Sequence, residues 1–235
     1  MLRVTCLPSK NPRMHYSTAD NAHGLRFNPF KALVVPRPIG WISTVGRDGA
    51  RNLAPYSFFN AVSDRPPVVM FSSSGHKDTV THVEETGEFT CSLATWELRE
   101  RMNLSSAPVA HGVDEAELAG LPLAPSRFVK PGRVAASPAA LECRHWKTIE
   151  LPAPDGDQAH AHYIVFGHVV AVYIDDAFIR DGVVNTVAMR PLARLGYMEY
   201  AVLSPETTFT LNRPTLGADG RSAEVSDAPW DGVYR

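Results

Sequence analysis

The sequence predicts a mainly β, antiparallel fold with a few short flanking helices, and three observations predict it. Short runs rich in Val, Ile, Phe, Tyr, Trp and Thr recur along the chain, each bounded by Gly, Pro or Asp. Asp48-Gly49 sits between two early runs and suits the positive φ angles of a tight hairpin turn. Two later runs, "AALECRHWKTIEL" and "HYIVFGHVVAVYID", are much longer and are joined by the polar segment "PAPDGDQAHA".

In chain order, residues 1–27 are irregular, rich in Asn, Pro and Gly, and the pattern begins near "FKALVVP". Strands are expected at 32–35, 39–45, 57–62, 68–72 and 88–94. "KDTVTHVEETG" reads as a helix with Asp78 as N-cap, Val80 and Val83 on one face and Gly87 as terminator. "TWELRERMNLSSA" reads as a second helix capped by Thr95, lying on the sheet by a narrow apolar stripe. Residues 107–138 form a proline-rich loop around a one-turn helix at "DEAELAG". The last long strand is apolar on both faces, which implies burial on both sides: a barrel wall with a helix or a second subunit against its outside. Residues 203–235 lack periodicity and read as an extended or partly disordered arm, with Trp230 and Tyr234 as its anchoring aromatics.

Composition narrows the functional classes. A chain of 235 residues suits one domain with decorations. A net charge of -2 without blocks of like charge argues against nucleic acid or an anionic membrane as the main partner. Cys6, Cys91 and Cys143 are too few and too scattered for a disulfide framework or a zinc cluster, which favours a reducing, cytoplasmic setting. No apolar run reaches the ~20 residues that span a bilayer, and Pro8 and Pro12 interrupt the N-terminus where a secretory segment would be unbroken. The expectation is that either Met14 is the initiator or residues 1–13 are a disordered extension.

No dinucleotide fingerprint, P-loop, G-x-S-x-G elbow or H-E-x-x-H helix is present. His160 and His162 have no third ligand spaced to join them, so no metal site is expected, and a Ser/His/Asp triad, whose members need not be neighbours in sequence, stays open without positive support. His111 sits in a loop that could line a cleft, although a surface turn is the commoner role for such a residue. Without such motifs, an organic cofactor that brings its own reactivity is the better expectation.

The long stretch from "NPFKALVVPRPIGWISTVGRDGARNLAPYSFFNAV" through "FSSSGHKDTVTHVEETGEFTCSLA", then "ASPAALECRHW", "YIVFGHVVAVYIDD" and "PLARLGYMEYA", resembles the flavin reductase-like domain family. The resemblance covers roughly residues 28–202. It implies an FMN-binding split β-barrel, a homodimer with FMN near the subunit interface, and NADH or NADPH as co-substrate. On this resemblance the cofactor-binding residues are Ser43, Thr44, Ser57, Phe58, Phe59 and Asn60 along the ring and ribityl chain. Ser72, Ser73, Lys77 and Thr79 belong to the phosphate end, where a strand leads into a helix N-terminus, and Arg194 approaches from a late segment. Phe58 and Phe59 are neighbours on one expected strand, so one of them points away from the ligand. The implied role is a reductase that supplies reduced flavin or electrons to a partner such as a monooxygenase. A flavoredoxin-like carrier without its own nicotinamide reaction, and a split barrel that has lost flavin, remain alternatives.

Overall fold

The computed structural model describes residues 14–226, 228–230 and 232; Cys6 and Tyr234 lie outside the described residues. The chain opens with α1 (Phe30–Leu33), β1 (Arg37–Pro38), β2 (Gly40–Val45), β3 (Arg51–Tyr56), β4 (Phe59–Asp64), β5 (Pro67–Ser74) and α2 (Asp78–Thr86). It continues through β6 (Glu88–Leu93), α3 (Arg99–Leu104), α4 (Glu115–Leu118), β7 (Leu123–Ala124), β8 (Arg133–Val134), β9 (Ala139–Leu151) and β10 (His162–Ile174). Short pairs complete it: β11 (Ile179–Arg180), β12 (Val183–Val184), β13 (Leu192–Arg194), β14 (Tyr200–Val202), β15 (Thr215–Leu216) and β16 (Ala223–Glu224).

One antiparallel sheet has the order β3-β2-β6-β9-β10-β5-β4, and a smaller one has the order β1-β13-β14. β3 and β4 end the larger sheet yet follow one another in the chain, so the sheet curls until its ends meet at Ser57 and Phe58. Across that closure the Tyr56 ring lies 4.8 Å from Phe71 of β5. This is the split-barrel architecture.

β2 is buried on both faces and divides the core in two. Ile42 faces the barrel interior with Phe71, Val80, Val83, Phe89 and Val165. Trp41 faces the other way, among Leu53, Leu98, Met102, Leu121 and Leu192, and its indole N–H donates to Ser105 Oγ at 2.9 Å. α2 crosses the barrel end through Val80 and Val83 and stops at Gly87, whose φ of 75° is the left-handed conformation that glycine reaches without steric cost.

Four sequence expectations change. Residues 32–35 were expected as a strand, but 30–33 form α1: Asn28 Oδ1 accepts the Phe30 N–H at 2.9 Å, and the Arg37 guanidinium collects the carbonyls of Lys31 and Val34. The hairpin partner of β2 is β3, a strand hidden by Arg51 and Pro55; an edge position tolerates that proline. Gly49 alone takes positive φ in the intervening turn. Lys77, with extended backbone at φ -92° and ψ 171°, is the N-cap of α2, so Asp78 is the first helical residue. In the C-terminal arm, Thr215–Leu216 and Ala223–Glu224 pair as a small hairpin, while Phe209, Leu211 and Val225 stand exposed.

Candidate functional site

Three adjoining clefts meet around the corner from β3 to β4. The first, about 350 Å³, is lined by Asn52, Tyr56, Lys77, Thr79, Ser105 and His111 among others. The second, about 480 Å³, is lined by Lys31, Arg37, Ser57, Asn103, Arg194 and Tyr200 among others. The third, about 680 Å³, is largely apolar and includes Phe58, Phe59, Met70, Ile164 and Phe166, with Asn60, Ser72 and His162. Pro55 and Ser106 line the first two clefts, and Arg37 and Ser57 line the last two, so the three form one continuous groove.

The polar end is built by the passage from β5 into α2. Gly75, at φ 78°, turns the chain after β5; its N–H donates to Ala161 O, and its carbonyl accepts from Ser73 Oγ. α2 then presents its N-terminus, with its unpaired N–H groups and positive dipole end, beside Lys77 and Thr79. Thr79 Oγ1 lies 2.8 Å from the Asn52 amide. With that amide turned to satisfy both ends, its oxygen accepts from Thr79 and Leu53, and its NH₂ donates to Glu115 at 3.3 Å.

Two carboxylates share this cleft, and each is already engaged. Glu115 accepts the Leu53 N–H at 2.9 Å, and burial raises its pKa. Asp78 pairs with His111 Nδ1 at 2.9 Å, and this hydrogen bond, reinforced by charge attraction, holds the exposed His111 above the ordinary histidine range. Burial likewise raises the Tyr56 phenol, although Thr79 and Ser73 bond to it.

The residues expected at the site divide into groups. Lys77 and Thr79 lie together in the first cleft; Ser57 lies where the second and third meet; Phe58, Phe59, Asn60 and Ser72 line the third; Arg194 lines the second. Phe58 sits beneath the cations of Lys31 and Arg37, at 5.8 and 5.7 Å, whereas Phe59 packs against the barrel core. Phe58 lies at the corner before β4, so strand alternation does not separate the two rings, and both line the third cleft. Ser43 and Thr44 are fully buried, with hydroxyls answered by the carbonyl of Gly132 and by His82 Nδ1, and Ser73 is buried with Gly75; none of the three lines these clefts. Sequence reasoning missed Asn52, Asn103, Ser106 and Arg37; His111 stands in an exposed turn, as expected, and also lines the first cleft, the lesser of its two expected roles. The available signal was the polar end of α3, "NLSS", beside a strand that carried its own amide. Among the described residues, no group of three or more His, Cys, Asp or Glu side chains is arranged to hold a metal, and no helix is long and apolar enough to cross a membrane.

A family model described as "Flavin reductase like domain" matches residues 32–190. An uncharacterized protein of Aquifex aeolicus is 37% identical over 174 residues, spanning 72% of this chain and 85% of that protein. The crystal structure of nitrilotriacetate monooxygenase component B from Bacillus cereus superposes with a TM-score of 0.76 at 25% identity, covering 86% of this chain and all of that one. A 2-nitrobenzoate 2-nitroreductase from Pseudomonas fluorescens superposes with a TM-score of 0.73 at 27% identity, covering 87% of this chain and 100% of that one.

Proposed function

Because the chain belongs to the family of flavin reductase-like domains, we propose that it binds FMN, is reduced by NADH or NADPH, and passes the electrons to a partner such as a monooxygenase. The observation that carries this reading is the gradient along the groove. It runs from a helix N-terminus with Lys77 and Thr79, past the Ser57 hydroxyl, into an apolar cleft walled by Phe58, Phe59, Ile164 and Phe166. FMN has the same gradient: a phosphate dianion, a polyol chain and a flat amphipathic ring.

The donor set fits. Lys77 and the N–H groups of α2 would hold the phosphate, Thr79 would position them through Asn52, and Ser57 would meet the polar chain. The aromatic wall would shield the ring and exclude water. Ser43, Thr44 and Ser73 would act from behind, by fixing the strands that carry these groups. When bound, FMN supplies the electron-transfer chemistry, which removes any need for a side-chain acid or base. A partner oxygenase is supported by the relative described as one component of a monooxygenase. A homodimer is supported by exposed apolar residues on β9 and β10, among them Trp146 and Val172, each 59% exposed.

The test is anaerobic. Purified protein is loaded with FMN, mixed with NADH or NADPH, and followed by flavin absorbance near about 450 nm. Bleaching with either nucleotide supports the reductase. Bleaching by dithionite but by neither nucleotide overturns nicotinamide dependence, and failure to take up FMN overturns the flavoprotein reading.

A further inference from the structure

We propose, resting on the flavin reading above, that the middle cleft is a second anion site. Lys31, Arg37 and Arg194 there would hold the carboxylate or phosphate of the compound that exchanges electrons with the cofactor. The cleft brings three cations together and includes no Asp or Glu among its lining residues. Arg37 and Arg194 are direct cross-strand partners of β1 and β13, a pairing of like charges that by itself destabilises a sheet.

Local groups orient these cations without neutralising them. Arg37 is 7% exposed; its Nη1 donates to Lys31 O and Val34 O, each at 2.6 Å, its Nη2 donates to Leu195 O at 3.0 Å, and its shielded Nε finds no acceptor. Burial and the neighbouring Arg194 both push its pKa down, the direction expected of a cation that lacks a counter-charge. Arg194 donates to Tyr197 O, touches Met198 Sδ at 3.5 Å and stacks 4.4 Å from the Tyr200 ring. Lys31 lies over Phe58, and none of the three makes an ion pair among the described residues. Carbonyls and ring faces are dipoles and quadrupoles; only an anion removes the net charge.

The remaining lining suits a small organic anion better than a bare ion. Asn28 and Asn103 add amide donors, and Met102, Met198 and Tyr197 add polarisable, apolar surface. A planar guanidinium matches a carboxylate or phosphate edge. The cleft adjoins the aromatic wall through Ser57, so a molecule held by its anionic end would present its body to the proposed ring position. It shares only Pro55 and Ser106 with the Lys77 cleft, so the two groups of cations stand apart within the one groove.

Calorimetric titration of the chain, with and without FMN, tests the site with benzoate as the carboxylate probe and inorganic pyrophosphate as the phosphate probe. Wild type, Arg194→Met, Arg194→Lys, Lys31→Met and Lys77→Ala are compared, with the FMN dissociation constant measured for each. The expected result is that at least one probe binds the FMN-loaded wild type, weakens about tenfold or more in Arg194→Met, and partly recovers in Arg194→Lys. Lys31→Met weakens the same probe, whereas Lys77→Ala, saturated with FMN to offset its weaker cofactor binding, retains it. Which probe binds separates a carboxylate substrate from a nucleotide diphosphate. Absence of binding by both probes, equal binding to Arg194→Met, or loss confined to Lys77→Ala overturns the second site. Loss of FMN affinity in Arg194→Met with unchanged probe binding assigns Arg194 to the cofactor and also overturns it. If the wild type takes up no FMN, the flavin reading fails, while the titration without FMN still decides whether the cations bind an anion.

Discussion

Lys77 and His111 are the side chains whose charge matters most at the polar end of the groove. Lys77 makes no ion pair among the described residues and stands at the N-terminus of α2, so its ammonium is free to serve a phosphate. Lys77→Ala should weaken FMN binding by about 1.5–3 kcal/mol, the size of a charge-assisted hydrogen bond, as read from quenching of flavin fluorescence. An unchanged dissociation constant would remove Lys77 from the site. His111 adds a pH dependence. Its folded pKa lies above the ordinary value of about 6.5, so its pairing with Asp78 contributes fully below that value and is lost as pH rises through the folded pKa. Phosphate ionisation is nearly complete by about pH 7. FMN affinity should therefore fall as pH rises through the folded pKa of His111, above its ordinary value, as the imidazolium loses its proton, and His111→Gln should flatten that decline. Ser43 and Thr44 show what local reading cannot resolve. Their hydroxyls have partners 89 and 38 residues away, Gly132 and His82, so a polar residue placed for packing looked the same as one placed for a ligand.

β5, β6, β9 and β10 and the helix α2 were legible because alternation, strand-forming residues and terminating glycines all agreed there. β3 and α1 were not, because an edge strand can carry Pro55, and α1 is held by side chains outside it, Asn28 and Arg37. The middle of β10 shows how tightly the barrel wall is fitted. Gly167 lies at a register shift against β9, and a Cβ added there would run into the ring of Phe89, which is fully buried, and lie 3.3 Å from Cys143 Cβ. The ring cannot retreat, since Phe71 meets it edge-on at 5.6 Å. Gly167→Ala should therefore destabilise the fold by about 1–3 kcal/mol through overpacking, seen as a lower denaturation midpoint in urea with little change in slope. Wild-type stability in this variant would show that the wall yields at the bulge.

The outside of the same wall is where one chain looks incomplete. β10 reads as apolar on both faces, and the structure covers only the inner one: Val165 is fully buried, while Val170 and Val172 are 40% and 59% exposed. Further along the wall, the Trp146 ring of β9 lies 6.0 Å from Phe166 and 5.6 Å from His168, and Phe166 also lines the apolar cleft with Phe30, Val34, Val62 and Leu151. An apolar surface of this extent on a chain with net charge -2 calls for a cover, and a second copy meets it by burying the same strip from both sides. Sedimentation equilibrium should give about twice the chain mass of 25.7 kDa at micromolar concentration. Val172→Glu places a carboxylate on that face and should weaken self-association by at least about tenfold, without unfolding the barrel, since the residue contributes little to the core. If the partner walls the apolar end of the groove, FMN affinity should fall in parallel as the dimer dissociates, both on dilution of the wild type and in Val172→Glu. A monomeric wild type at micromolar concentration would end the dimer proposal, and a dissociated variant with full FMN affinity would confine the whole cofactor site to one subunit.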